Sequence, residues 1–200
     1  MPVIALALFA VFALLGFGWR SWRQHRRTGS TGFHGVSGRV GSAEWFAGAG
    51  FIVAMAAAFF APVLQMTGVI APLGFLYAPW VQVTGIVLAL AGIAATVYAQ
   101  VDMGDSWRIG VDPGETTTLV RHGVFSVVRN PIFTAMLGFG LGIALVTPNV
   151  VAIIGFALLV LTIEVQVRVV EEPYLTTNHG DDYRRYAASV GRFLPRVGMR

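Results

Sequence analysis

Five long apolar runs are the feature of this sequence that most limits what it folds into. A helix needs about 20 mostly apolar residues to cross the roughly 30 Å of hydrocarbon in a bilayer. The fourth run is shorter than this, and the other four are close to it. We therefore predict an all-α integral membrane protein with about five transmembrane helices. The runs extend over residues 2–19, 44–66, 79–100, 132–147 and 149–170.

The composition agrees with a single membrane domain. Only 12% of the 200 residues are charged, against about 25% in a typical soluble domain. A chain of this length suits one domain, so we assign 1–200 to a single membrane domain. Because Cys is absent, disulfides, thiolate nucleophiles and Cys-based metal sites are excluded, and we expect no metal centre.

All 14 positively charged residues are Arg, and they fall in three regions of the chain, 20–39, 108–129 and 168–200. Five spans place these regions on one side of the membrane, whereas the loops at 67–78 and 147–149 carry no charge. Because positive charge stays on the cytosolic side, we predict an outside N-terminus and a cytosolic C-terminus in a prokaryotic plasma (inner) membrane. Membrane lipids are then the expected surroundings, and no nucleic-acid partner is expected.

Ionisable residues are almost absent from the apolar runs, and Glu164 alone lies clearly inside one. Pumps and channels place such groups along a path through the bilayer, so transport is disfavoured. In the last run, spacings of three and four residues predict that Glu164, Arg168, Glu171 and Glu172 share one stripe of a helix. Such a stripe either ties the helix to the bundle or lines a polar pocket where a cytosolic ligand meets a membrane-embedded one.

The segment before the fourth run contains polar residues, turns and the start of a helix. Asn130 is predicted to be the N-cap, with Pro131 in the first helical turn. The small residues Gly138, Gly140 and Gly142 inside the fourth run indicate close helix packing. No strand followed by GxGxxG and a helix is present, so a Rossmann nucleotide site is not expected.

Several short motifs occur together in the second half of the chain. They are Leu119-Val120, Gly123-x-Phe125, Arg129-Asn130-Pro131-x-Phe133, Glu171-Glu172-x-x-Leu175, and a tail running from Gly180-Asp-Asp-Tyr183 to Arg192-Phe-Leu-Pro195. Their order resembles the isoprenylcysteine carboxyl methyltransferase family, a member of a wider phospholipid methyltransferase-like group of membrane enzymes. The resemblance covers about residues 103–195. It departs from the family pattern at Asn130, where His is usual, and at Phe133 and Phe125, where Tyr is common.

This resemblance implies S-adenosylmethionine as cofactor and methyl donor, with a three-helix N-terminal part at 1–100 and a methyltransferase-like catalytic part at 101–200. Glu171 corresponds to the residue that holds the ammonium group of the donor, with Glu172 as the neighbouring candidate. Arg168 corresponds to a residue near the carboxylate of the acceptor, so the predicted catalytic residues are Arg168 and Glu172. The predicted cofactor-binding residues are Thr117, Thr118, Leu119, Val120, His122, Phe125, Asn130, Pro131, Ile132, Phe133 and Glu171.

The implied function is methyl transfer to a lipophilic acceptor that is prenylated, isoprenoid or lipid. We expect the pocket at the cytosolic face, formed by the connector before helix 4, the hairpin of helices 4 and 5, and the C-terminal tail. A carboxylate acceptor needs no general base, whereas a hydroxyl or amine does. The nearest candidate bases in sequence are His122 and Glu164.

Two other functions are compatible with the sequence. One is a membrane oxidoreductase related to the sterol reductases that use NADPH, although the chain is short for that group. The other is a non-catalytic membrane scaffold that keeps the fold. The residues Asn130 and Phe133, which differ from the usual family pattern, suggest this alternative.

Overall fold

In a computed structural model, the protein is a bundle of long helices, and the structure describes residues 1–31, 35–36, 38–104 and 118–200. Every regular element among these residues is helical, and one isolated bridge joins Val128 to Gly191. This confirms the all-α prediction for the described part of the chain. The helices are α1 (Pro2–Ala13), α2 (Arg20–Thr28), α3 (Ala43–Met66), α4 (Pro79–Asp102), α5 (Pro131–Val146), α6 (Val150–Val165) and α7 (Glu172–Ser189).

Two π-helical segments join neighbouring helices into continuous rods. Leu14–Trp19 links α1 to α2, and Gln166–Glu171 links α6 to α7. The first and last helices therefore extend beyond the apolar runs that predicted them. The first continues because α2 contains four Arg and one Gln, which favour helix. The second has a kink at Gly180, whose φ of 52° and ψ of −126° are not helical. The first rod ends at Gly29, whose left-handed φ of 78° closes the last turn.

Four helical rods among the described residues are long and apolar enough to cross a membrane, namely Pro2–Thr28, Ala43–Met66, Pro79–Asp102 and Val150–Ser189. The fifth apolar helix, α5, has only 16 residues, which corresponds to about 24 Å. It lies against α4, α6 and α1, and much of its surface is buried by them. These helices are those of an integral membrane protein.

Small residues allow α5 to approach its neighbours closely. A Cβ added to Gly142 would lie 2.5 Å from the backbone nitrogen of Ala89, and one added to Gly140 would lie 2.7 Å from Leu159. The predicted packing role is therefore confirmed for these two positions. A Cβ added to Gly138 would have no neighbour within 4 Å, so this glycine does not share that role.

The bundle has one charged end and one uncharged end. At the uncharged end, the N–H of Leu73 donates to the carbonyl of Pro148 at 2.7 Å, which joins the two uncharged loops. At the other end, Arg20 donates to the carbonyl of Gly104, and Arg121 lies 3.8 Å from Asp182. The three Arg-rich regions therefore meet at one end of the molecule. The side of the membrane that this end faces stays a prediction.

Candidate active site

A cavity of about 320 Å³ opens between the helices at the charged end. Its lining comes from both halves of the sequence. We call the lining residues between Phe17 and Met103 the N-terminal wall, and those between Thr118 and Tyr186 the C-terminal wall. Apolar side chains dominate both walls, as is usual for sites that bind small molecules.

Nine of the eleven predicted cofactor-binding residues line the C-terminal wall: eight lie within residues 118–133, and Glu171 comes from the segment before α7. Thr117 lies outside the described residues. His122 is not part of the lining, because its side chain is 73% exposed and its Nδ1 lies 3.8 Å from a carboxylate oxygen of Asp102. The nine are Thr118, Leu119, Val120, Phe125, Asn130, Pro131, Ile132, Phe133 and Glu171.

Two contacts hold the loop before α5 against the bundle. The backbone N–H of Val124 donates to the Asp102 carboxylate at 2.8 Å, which fixes the turn to the end of α4. Gly123, with a φ of 55°, packs directly on that carboxylate, so a side chain here would collide with it. On the other side, the hydroxyl of Tyr186 donates to the carbonyl of Phe125. These contacts place the buried Phe125 ring at the cavity.

The C-terminal tail supports the beginning of α5. Asn130 occupies the N-cap position and Pro131 the first helical position, as predicted, but the Asn130 side chain does not cap the helix. Its Nδ2 and its backbone N–H both donate to the carbonyl of Arg192, each at 3.1 Å. One turn later, the hydroxyl of Thr134 donates to the carbonyl of Phe193 at 2.9 Å. The amide at position 130 therefore anchors the tail.

Glu172 lies in a buried cluster of ion pairs and does not line the cavity. Arg129 donates to its carboxylate at 2.8 Å, and Arg192 binds both carboxylate oxygens at 2.7 and 2.9 Å. A terminal nitrogen of Arg200, whose side chain is exposed, lies 3.2 Å from the other carboxylate oxygen of Glu172. The hydrogen bonds to Glu172 raise the pKa of Arg192 above its ordinary value, against the lowering effect of burial. The cluster connects the loop before α5, the start of α7 and the tail.

Arg129 makes further contacts that strengthen this connection. One terminal amino group donates to the carbonyls of Ala187 and Val190, and the other donates to the carbonyl of Gly198 at 3.1 Å. Its Nε, which is also buried, makes no hydrogen bond among the described residues. Arg129 lines the cavity as well, so it joins the scaffold to the site.

The four residues predicted to share one stripe of the last helix have different environments. Glu164 and Arg168 pair with each other, with side chains 35% and 48% exposed, and neither lines the cavity. Glu171 does line it, and it accepts a hydrogen bond from Gln166, five residues earlier, at 3.3 Å. The π-helical segment Gln166–Glu171 has more residues per turn than an α-helix, so it changes the directions in which the later side chains point.

Several residues of the cavity were not predicted from the sequence. Glu44, Gln100 and Phe17 come from the first half of the chain, where no motif was recognised, and Tyr183 and Tyr186 belong to the tail motif without an assigned role. A usable signal existed for Gln100, because an amide at the end of an apolar run is expensive to bury without a partner. Glu44 is likewise the only acidic residue in the first 101 positions.

Sequence comparison identifies the family. A family model described as phospholipid methyltransferase matches residues 80–182, which is just over half of the chain and includes every predicted site residue. No curated protein sequence matches the chain significantly. The matching family includes the isoprenylcysteine carboxyl methyltransferases, and its enzymes generally use S-adenosylmethionine. The chain belongs to the phospholipid methyltransferase family, and this membership implies a membrane methyltransferase.

Proposed function

We propose that the protein transfers a methyl group from S-adenosylmethionine to a lipophilic acceptor at the cytosolic surface of the membrane. The observation that carries the proposal is the shared cavity: nine residues chosen from separate motifs line one wall of it. Eight of these residues lie close together in the chain, between Thr118 and Phe133, and Glu171 joins them from the last helix. The position of the cavity at the charged end, with apolar helices beside it, suits a charged donor arriving from water and a lipophilic acceptor arriving from the bilayer.

The charged groups of the C-terminal wall fit the amino acid part of the donor. The Glu171 carboxylate is complementary to an ammonium group, and its hydrogen bond from Gln166 holds it in place. Arg129 adds a guanidinium group to the lining, and its positive charge is complementary to a carboxylate. The wall thus offers one negative and one positive group to a zwitterion.

The bound donor supplies an electrophilic methyl group, and methyl transfer is an in-line displacement that depends on alignment. In the proposal, Glu171 and Arg129 orient the donor, while Phe125, Ile132 and Phe133 exclude water from the reacting atoms. Asn130 keeps the tail against this wall through its bonds to Arg192. The residues of the chain thus position the reactants and control access.

The roles first assigned to Arg168 and Glu172 are not part of this proposal. Arg168 is paired with Glu164 outside the cavity, so it has no direct route to an acceptor held there. Glu172 is enclosed by guanidinium groups, and its carboxylate has no free face for a ligand. We assign Glu172 to the positioning of the C-terminal wall.

The test is calorimetric titration of detergent-purified protein with S-adenosylhomocysteine, the demethylated form of the donor. We expect saturable binding by the wild type and at least tenfold weaker binding by Glu171→Gln, because the ammonium group loses its counter-charge. Asp181→Asn is the control, since Asp181 is an exposed acid of α7 with a side chain 76% exposed. Folded wild type that binds NADPH but not S-adenosylhomocysteine would overturn the proposal in favour of an oxidoreductase.

A further inference from the structure

A surface that combines positive charge with indole rings lies around α2, outside the cavity. The Arg23 guanidinium lies over the Trp19 ring and the Arg26 guanidinium over the Trp22 ring, each 5.4 Å from the ring centroid. The spacings of three and four residues place all four side chains on one face of the helix. None of them lines the cavity, and Trp22 is 57% exposed. We call these four residues the Arg–Trp surface.

The positive charge of the Arg–Trp surface is not neutralised by the protein around it. Among the described residues, neither Arg23 nor Arg26 forms an ion pair with a carboxylate. The helix itself contains no acid, and Glu44 is the first acidic residue in the sequence. Cations in the last turn of α2 also interact favourably with the helix dipole, but this effect does not account for an exposed indole beside them. The surface is therefore complementary to an anion that has an apolar part.

The Arg–Trp surface lies at the level expected for lipid head groups. The rod Pro2–Thr28 has 27 residues, which corresponds to about 40 Å, whereas the hydrocarbon core is about 30 Å thick. Since the apolar residues occupy the first part of the rod, its α2 end extends beyond the core. Trp is enriched at this level of a membrane because its ring is apolar and its N–H is polar. The surface therefore meets the membrane where phosphate groups are concentrated.

We propose that the Arg–Trp surface binds the head groups of anionic phospholipids in the surrounding membrane. A guanidinium group donates two parallel hydrogen bonds to a phosphate, and contact with an indole holds it in place for this. A choline head group brings a positive charge of its own, whereas a glycerol head group leaves the phosphate charge uncompensated. Free phosphate would satisfy the Arg side chains but not the exposed Trp22 ring. The inference goes beyond the proposed function and does not depend on it.

The experiment measures which lipid the detergent-purified protein retains from an equimolar mixture of dioleoylphosphatidylglycerol and dioleoylphosphatidylcholine. The two lipids differ only in the head group, and native mass spectrometry counts the bound molecules of each. We expect the wild type to retain more of the anionic lipid, and added salt should lower this ratio. Replacing both Arg23→Gln and Arg26→Gln should lower it at least about fivefold, since each Arg near an anionic surface contributes a factor of about five.

The matched control removes the same charge from another exposed helix. Arg184 and Arg185 on α7 pair with Asp181 and Asp182 at 2.7 and 2.6 Å, so acids of the protein already occupy them. The double variant Arg184→Gln with Arg185→Gln should keep the lipid ratio within about twofold of the wild type, because exposed pairs of this kind contribute little. The control therefore separates a local site from the effect of net charge.

A second variant keeps the charge and removes the planar guanidinium groups. Arg23→Lys with Arg26→Lys should give a ratio between those of the wild type and the Gln variant, because an ammonium group cannot donate two parallel bonds to one phosphate. It decides the question if circular dichroism shows that the Gln variant is unfolded. Equal retention of both lipids by the wild type, or a wild-type ratio in either folded variant of α2, would overturn the inference. So would an equal loss in the α7 variant, or displacement of the lipid by inorganic phosphate beyond that by chloride at matched ionic strength.

Discussion

Glu172 and Arg192 form a two-pronged ion pair, in which Nε of Arg192 lies 2.7 Å from one carboxylate oxygen and its second nitrogen lies 2.9 Å from the other. Both side chains are about 95% buried. The pair joins the first residue of α7 to the C-terminal tail, and Arg129 adds the loop before α5. These ion pairs therefore hold together the C-terminal wall of the cavity. Of the charged residues in them, only Arg129 lines the cavity.

Replacing Glu172 with Gln should destabilise the protein strongly. The change leaves two buried guanidinium groups without a counter-charge, and breaking a buried ion pair in this way costs about 3–5 kcal/mol. The measurement is thermal or denaturant-induced unfolding of the detergent-solubilised protein. Asp181→Asn breaks an exposed pair with Arg184 and should cost at most about 1 kcal/mol. Equal stabilities of the two variants would contradict the structural role of Glu172.

Removing the hydroxyl of Tyr186 should loosen the Phe125 side of the cavity. Tyr186→Phe leaves the carbonyl of Phe125 without its donor, at an expected cost of about 1–2 kcal/mol in unfolding free energy. If the turn shifts, the affinity for S-adenosylhomocysteine should fall several-fold in calorimetry. Tyr98→Phe, at an exposed position on α4, is the control and should match the wild type. A Tyr186→Phe variant with unchanged stability and affinity would count against this assignment.

Glycine substitutions on α5 should separate close packing from helix propensity. At Gly142 a new methyl group would lie 2.5 Å from the backbone of α4, so Gly142→Ala should destabilise the bundle by at least about 1–3 kcal/mol. Gly138, one turn earlier, has open space around it, and Gly138→Ala should be neutral or stabilise by up to about 1 kcal/mol. Unfolding in a denaturing detergent compares the two. Similar effects of both changes would contradict the observed α4–α5 packing.

Local sequence patterns predicted the helices of this protein better than they predicted the surroundings of individual side chains. The apolar runs predicted the helices well because the length and hydrophobicity of a run are properties of the run itself. The 80–182 family match agrees with the motifs read from the sequence, and those motifs also selected most of the C-terminal wall. On the last helix, Glu164 and Arg168 pair at the predicted four-residue spacing. Glu171 and Glu172 have different environments, since only Glu171 lines the cavity.

By itself, the sequence determined the helical class, the apolar spans, the concentration of Arg in three regions and the family. Each of these depends on composition or on residues close together in the chain. Only the tertiary structure decided that Glu171 lines the cavity while Glu172 is buried among guanidinium groups, and that Gln100 and Glu44 face the same space. Those outcomes depend on contacts between distant residues, such as Arg192 with Glu172, 20 positions apart, and Gln100 with Gly16, 84 positions apart. Burial and hydrogen bonding at that range arise only when the helices pack, so no local pattern encodes them.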